Sequence, residues 1–167
     1  MRFSGRDLDE VDAQILMALQ ENARITMREL GSQVGLSAPA VTERVRRLEQ
    51  QGVIRGYRAE VAPERIGLPV VAFVNLAMGR EMRPSARLDQ EVGKLDEVVE
   101  CYRITGDDAY LLKVAVSDVD ALRETLDRLS DFGLVKTSVV LAVAKRPAPL
   151  HPELPRPRGP IYRHGAD

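Results

Sequence analysis

The spacing of apolar residues changes period part-way along the chain, and this change most restricts what it can fold into. Up to about residue 52 apolar side chains recur at helical intervals: Leu8, Val11, Ile15, Leu16 and Leu19 fall on one stripe of an amphipathic helix. After about residue 68 they come in short β-rich runs that alternate with two helical patterns. The chain therefore divides into a helical part and a mixed part. Its 167 residues suffice for one ordinary domain or two small ones and are too few for a large enzyme.

Within residues 1–52 the punctuation is local and explicit. Asp7 or Asp9 can cap the first helix. Thr26-Met27-Arg28-Glu29 reads as a capping box opening a second helix, with Ile25 stapled to Leu30. Gly35 is a natural left-handed stop. Ser37 is placed to cap a third helix, with Leu36 and Val41 as its staple and Pro39 tolerated in the first turn. At ~100° per residue, Ala38, Val41, Val45 and Leu48 share one side of that helix. Pro39, Glu43, Arg46, Arg47 and Gln50 occupy the other, with Thr42 on the flank. A helix, a short Gly-Leu-Ser turn and a second helix have the spacing of a helix-turn-helix, whose second helix lies in the DNA major groove. Arg28, Ser37, Ala38, Pro39, Thr42, Glu43, Arg46 and Arg47 are thus candidate DNA-facing residues, with arginines suited to guanine edges or phosphates. The competing reading is the solvated face of a small helical bundle; the turn, the caps and the strand expected next favour DNA.

Residues 53–67 read as a strand and linker, because Gly52 to Val61 alternates and Pro63 and Gly67 follow. This makes the expected DNA-binding unit a winged helix-turn-helix. Charge follows the same boundaries. Residues 22–58 hold seven arginines against three glutamates, while residues 68–145 hold ten basic and thirteen acidic residues. The formal net charge of −1 conceals a basic segment joined to an acidic one.

Over residues 68–145 the order is strand (Pro69 to Met78), helix (Ser85 to Lys94, with Leu88 and Val92 inward), strands Val98 to Ile104 and Tyr110 to Val116, a helix lined by Ala121, Leu122, Leu126 and Leu129, and a strand from Val135 to Val143. This βαββαβ order is that of a ferredoxin-like sandwich, and the fold class is α+β. One sheet face is left uncovered, which predicts a dimer packed sheet against sheet. Residues 146–167 hold six of the ten prolines and read as a flexible tail.

Several chemistries find no support. Cys101 stands alone and is expected to be a packed thiol; His151 and His164 both lie near the C-terminus. No metal site, disulfide framework, Ser/His/Asp set or phosphate-binding glycine loop can be assembled, so catalytic residues, metals and cofactors are expected to be none. Asp118, Asp120, Glu124 and Asp127 read as a solvated helix face. No apolar run approaches the ~18 residues of a membrane span, and the expectation is a soluble, cytoplasmic protein.

The residues Leu8-Asp9, Asp12, Ile15-Leu16, Asn22-Ala23-Arg24, Glu29-Leu30, Gly35-Leu36-Ser37, Val41, Arg44-Val45, Arg47-Leu48-Glu49 and Gly52-Val53-Ile54 resemble the Lrp/AsnC family of prokaryotic transcription regulators. The likeness continues through Val98-Val99-Glu100, Thr105 to Val114 and Thr137 to Leu141, and so covers residues 8 to about 144. It implies a sequence-specific regulator of double-stranded DNA that assembles as a dimer and further to a tetramer or octamer. It also implies an amino-acid effector bound near Thr105, Gly106, Asp107, Asp108, Ala109, Tyr110 and Thr137. Gly106 would let the backbone approach a ligand and the two aspartates could hold an ammonium group; the alternative is a plain polar turn. Ala109 stands where the family commonly has Asp, and Val135 and Lys136 where it often has Ser or Thr. Two other functions remain in view: a tetrapyrrole (sirohaem) decarboxylase, which some relatives of the family are, and a DNA-architectural protein of low sequence preference.

Overall fold

The structure, a computed structural model, describes residues 8–78 and 86–153, with backbone alone for 86–88. Asp7, Ser85, the side chain of Leu88 and residues 154–167 of the expected tail lie outside what is described. The described residues form two units, one of residues 8–59 with 147–153, the other of residues 60–78 with 86–146.

In the helical unit, α1 (Glu10–Glu21) starts at Asp9, whose carboxylate accepts from the Asp12 N–H while the Asp12 carboxylate accepts from the Asp9 N–H. The reciprocal pair satisfies donors that a first helical turn leaves without partners of its own. α2 (Met27–Val34) has the expected box between Thr26 and Glu29, and it stops at Gly35, where φ is 71°. α3 (Ala38–Gln50) begins after Ser37, but the Ser37 hydroxyl makes no capping bond. Pro39, at the second helical position, has no N–H to donate, which leaves the Ala40 N–H at the third as the donor a cap could take, and Ser37 does not take it. Ile15, Leu19, Leu30, Val41, Val45 and Leu48 are buried together as one core, closed by Leu8, Leu16, Leu36, Val53 and Ile54. The Val53 and Ile54 N–H groups both donate to the Leu48 carbonyl (2.9 and 3.1 Å), which turns the chain back against that core.

Beyond Ile54 the expected strand is not formed: residues 55–62 carry no ladder among the described residues. Alternation prepares an extended backbone, but a strand needs a second strand to pair with, and this single chain offers none. The first part of the Pro-rich segment also differs from expectation. The Gln20 side-chain amide donates to the Leu150 carbonyl (2.9 Å) and accepts from its N–H (2.8 Å). It thereby pairs with the tail backbone as a neighbouring strand would, and residues 147–153 join the helical unit.

The second unit opens with a 3-10 turn (Pro63–Ile66) and continues β1 (Val70–Ala77), α4 (Ala86–Val92), β2 (Val98–Arg103), β3 (Tyr110–Val116), α5 (Val119–Ser130) and β4 (Leu134–Val139). The sheet order is β2-β3-β1-β4 with every pairing antiparallel. This is the βαββαβ arrangement expected. β4 ends four residues earlier than expected because its partner β1 starts at Val70; the Val140 N–H makes the last contact, to the Val71 carbonyl at 2.8 Å. Ala72, Val74, Leu76, Tyr110, Leu112, Val114 and Val116 point to one face, where they are buried with Val92, Leu122 and Leu129 of the two helices. The alternate residues, Phe73, Asn75, Leu111 and Lys113, point to the other. Phe73 is 39% exposed there.

Candidate DNA-reading surface and effector site

The apolar seam of α3 leaves the opposite side to solvent. Pro39, Thr42, Glu43, Arg46 and Arg47 are exposed, as are Ser37 and Arg28; Ala38 is half-buried. The free hydroxyl of Ser37 and the ring of Pro39 therefore stand at the open N-terminal end of the helix, where base-reading residues belong. Thr42 donates its hydroxyl to the Ala38 carbonyl (2.8 Å). Arg46 forks onto Glu43 through Nε (3.1 Å) and Nη2 (2.8 Å), and that bond is what holds the Glu43 carboxyl below its ordinary range. Both partners are exposed, so water competes for the pair and its net strength is small. A better anion or a base edge can displace it.

Arg47 is placed differently. Its Nη2 donates to both carboxylate oxygens of Asp12 (3.0 and 2.8 Å), and Arg44 donates to Asp12 (2.9 Å) and Asp9 (2.7 Å). The Arg44 bond pulls the Asp9 carboxyl down from its ordinary value. Asp12 itself is 0% exposed. A buried carboxylate thus joins α1 to α3 through two guanidinium groups, and one of these belongs to a candidate DNA contact. Sequence reasoning missed Asp12 and Arg44. The available signal was a carboxylate beside the apolar stripe of α1, one residue from Val11, where burial without a cation is too costly.

Past α3, the Tyr57 hydroxyl donates to Glu49 (2.9 Å). Desolvation first, then Glu49, pushes the phenol up to about 12. A phenol whose folded value exceeds its unfolded value of about 10 favours folding below pH 10 and loses that contribution as pH rises through 12. In an alkaline titration followed by the phenolate absorbance band, Tyr57 is expected to ionise late. Tyr57→Phe should remove one phenol's absorbance from the late part of the curve; a loss from the part near pH 10 instead would contradict the contact.

The expected effector residues divide between the two faces of the sheet. Thr105, Gly106 and Asp107 are exposed in the β2–β3 loop, which is held by the Ile104 N–H to the Ala109 carbonyl (3.1 Å) and the Ala109 N–H to the Leu76 carbonyl (2.9 Å). Asp108 accepts from Asn75 Nδ2 (2.8 Å) and from Lys136 Nζ (3.3 Å), a cluster on the open face. Tyr110 lies on the helix-covered face: it is buried, and its hydroxyl donates to Asp89 (2.8 Å), which Arg103 also grips. Thr137 pairs with Val74 and shares that face. Tyr110 and Thr137 are therefore not brought together with Asp108 in this chain. Alternation settles which residues share a face of one strand, but only the register between strands relates one strand's faces to another's. Cys101 also departs from expectation. It is exposed, since β2 is an edge strand, and desolvation followed by Asp89 pushes its thiol up, away from the reactive thiolate. Among the described residues no helix is long and apolar enough to cross a membrane.

Two family models match, the first within the helical unit and the second over the sheet unit and four residues beyond it. The AsnC-type helix-turn-helix domain covers residues 8–49, and the Lrp/AsnC ligand binding domain covers residues 71–150. The chain belongs to the Lrp/AsnC family. The leucine-responsive regulatory protein of Escherichia coli K12 is 40% identical over 148 residues, which span 85% of this chain and 90% of that one. Among solved structures, LrpC of Bacillus subtilis superposes with a TM-score of 0.77 at 33% identity, covering 83% of this chain and 98% of its own. A Neisseria meningitidis transcriptional regulator, solved as its L-Met complex, gives 0.77 at 34%, covering 86% and 96%. This Lrp/AsnC chain is a DNA-binding transcription regulator with a second, ligand-binding domain. The relatives matched are regulators, which does not favour the tetrapyrrole decarboxylase alternative.

Proposed function

We propose that the protein reads a specific DNA site through the exposed side of α3, with its assembly or DNA affinity set by an amino acid or related metabolite. The carrying observation is that Ser37, Pro39, Thr42, Glu43 and Arg46 are all exposed opposite the buried seam of Val41, Val45 and Leu48. Arg28 is exposed on α2 without an ion pair among the described residues, and suits a phosphate. Dimers form by packing the open sheet faces together, for which Phe73 and Leu111 supply apolar area, and larger assemblies build on these. A two-fold dimer calls for a palindromic site with half-sites ~34 Å apart or a multiple of that distance. Support for the effector is the ligand-binding domain match and the solved neighbour's methionine. Asp108 is already matched by Lys136 and Asn75, which leaves the exposed Asp107 as the carboxylate for an ammonium group, with Thr105, Gly106 and Ala109 beside it.

The test is fluorescence anisotropy of the full chain on DNA from upstream of its own gene, against unrelated DNA of equal length, across a salt series and an amino-acid panel. Preference for its own upstream DNA, a steep fall with salt and a shift with one amino acid are expected. Equal affinity for both DNAs would replace specific regulation with an architectural role. Arg46→Ala is expected to cost ~1–3 kcal/mol on the preferred site; an equal loss on both DNAs would mark Arg46 as a phosphate contact instead.

A further inference from the structure

The apolar seam of α3 cannot by itself fix which side chains face DNA. Val41, Val45 and Leu48 lie within about 60° of one another at ~100° per residue, and burial of such a stripe is non-directional. A small roll of the helix about its axis would keep these three side chains facing the core yet would carry Arg46 off a base edge. Directional bonds oppose the roll, and among the described residues the set that ties α3 to α1 is the four contacts of Arg44 and Arg47 with Asp9 and Asp12. Arg44 and Arg47 lie on the flank of α3 between seam and exposed side, about 60° apart at that same spacing. The carboxylate that receives them is 0% exposed and is fixed to α1 by its own cap. Each arginine uses a single nitrogen, Nη1 of Arg44 and Nη2 of Arg47, to reach two carboxylate oxygens, and such charge-assisted bonds are stronger than neutral ones.

We propose that Asp12 is a specificity-determining positioning residue: it sets the roll of α3 and withholds Arg44 and Arg47 from the phosphate backbone, without touching DNA itself. Arg47, although 45% exposed in its side chain, then serves as a brace rather than a DNA contact. The counter-charge matters as much as the geometry. Two guanidinium groups released from Asp12 become free to follow phosphates, which bind any sequence alike. This inference rests on the reading of α3 as the DNA-facing helix.

The test compares salt dependence and site preference in the full-length variants Arg47→Gln, Asp12→Asn and Arg46→Ala. For a phosphate contact, removing the cation makes the slope of log K against log salt shallower by about 0.9. Arg47→Gln is expected to leave that slope unchanged on both DNAs, while preference for the upstream site falls about tenfold or more, the share of one misaligned base contact. Asp12→Asn is expected to steepen the slope by about one to two phosphates' worth and to tighten binding to unrelated DNA. A shallower slope for Arg47→Gln, or a retained preference, overturns the proposal. So does Asp12→Asn with native circular dichroism and an unchanged slope. Should Asp12→Asn fail to fold, the Arg47→Gln result decides alone. Arg46→Ala reports on the underlying reading: wild-type slope and preference in Arg46→Ala and Arg47→Gln alike would unseat α3 as the DNA-facing helix and the brace with it, whereas a lost preference in Arg46→Ala beside a retained one in Arg47→Gln would overturn the brace alone.

Discussion

Gly31→Val is expected to abolish DNA binding while the sheet unit stays folded. Gly31 is buried in α2, and the chain passes back over it as it leaves Gly35: a Cβ at position 31 would sit 2.6 Å from the Leu36 carbonyl oxygen. The Leu36 N–H also donates to the Gly31 carbonyl at 2.9 Å. The neighbour is backbone on both counts, so no side chain can swing aside to make room. Replacing Gly by Val within a helix recovers only a few tenths of a kcal/mol of propensity. Overpacking costs typically ~1–3 kcal/mol and occasionally more, and a β-branched side chain wedged against a carbonyl belongs at the upper end. Relief requires the turn to open, and the turn is what sets α3 against α2. Circular dichroism should show lost helix, and anisotropy should show binding to neither DNA. Wild-type affinity in this variant would contradict the tight turn.

Features encoded within three or four residues are legible in the sequence itself. Thr26 and Glu29 announce a capping box because the partners are three apart, and the βαββαβ order follows from where the apolar period changes. Ser37 shows a limit of such local reading: it has the composition of a cap, yet its hydroxyl makes no capping bond, and Pro39 has removed one of the two donors open to it. The features not legible depend on partners far along the chain. Asp12 meets Arg47 across 35 residues and Gln20 meets Leu150 across 130, separations at which nothing in a single sequence ties one residue to another. The end of β4 at Val139 depends on where β1 begins. In the same way, the division of Asp108 from Tyr110 and Thr137 depends on the register that places Val74 opposite both Leu112 and Thr137. The expected strand after Ile54 had the right pattern and lacked a partner.

The two faces of the sheet should respond to truncation in opposite ways. Leu112, at the centre of β3, is 0% exposed among Val74, Val114, Leu122 and Leu129. Leu112→Ala removes buried methyl and methylene groups and leaves a cavity, for which about 2–5 kcal/mol is the usual cost. That loss belongs to the folded chain itself, so the stability of the sheet unit should drop by a similar amount at low and high protein concentration. Phe73 faces the other way, and its exposure in the single chain means that truncation forfeits little within the unit. If the open faces pack together, Phe73→Ala loses its stabilisation only through association. Its denaturation midpoint should fall at high concentration, converge on wild type after dilution below the dimer dissociation range, and be accompanied by a smaller mass in light scattering. A Phe73→Ala variant whose mass and midpoint match wild type at every concentration would place the dimer contact elsewhere. A concentration-dependent loss in Leu112→Ala alone would mean that the helix-covered side had been assigned to the wrong face.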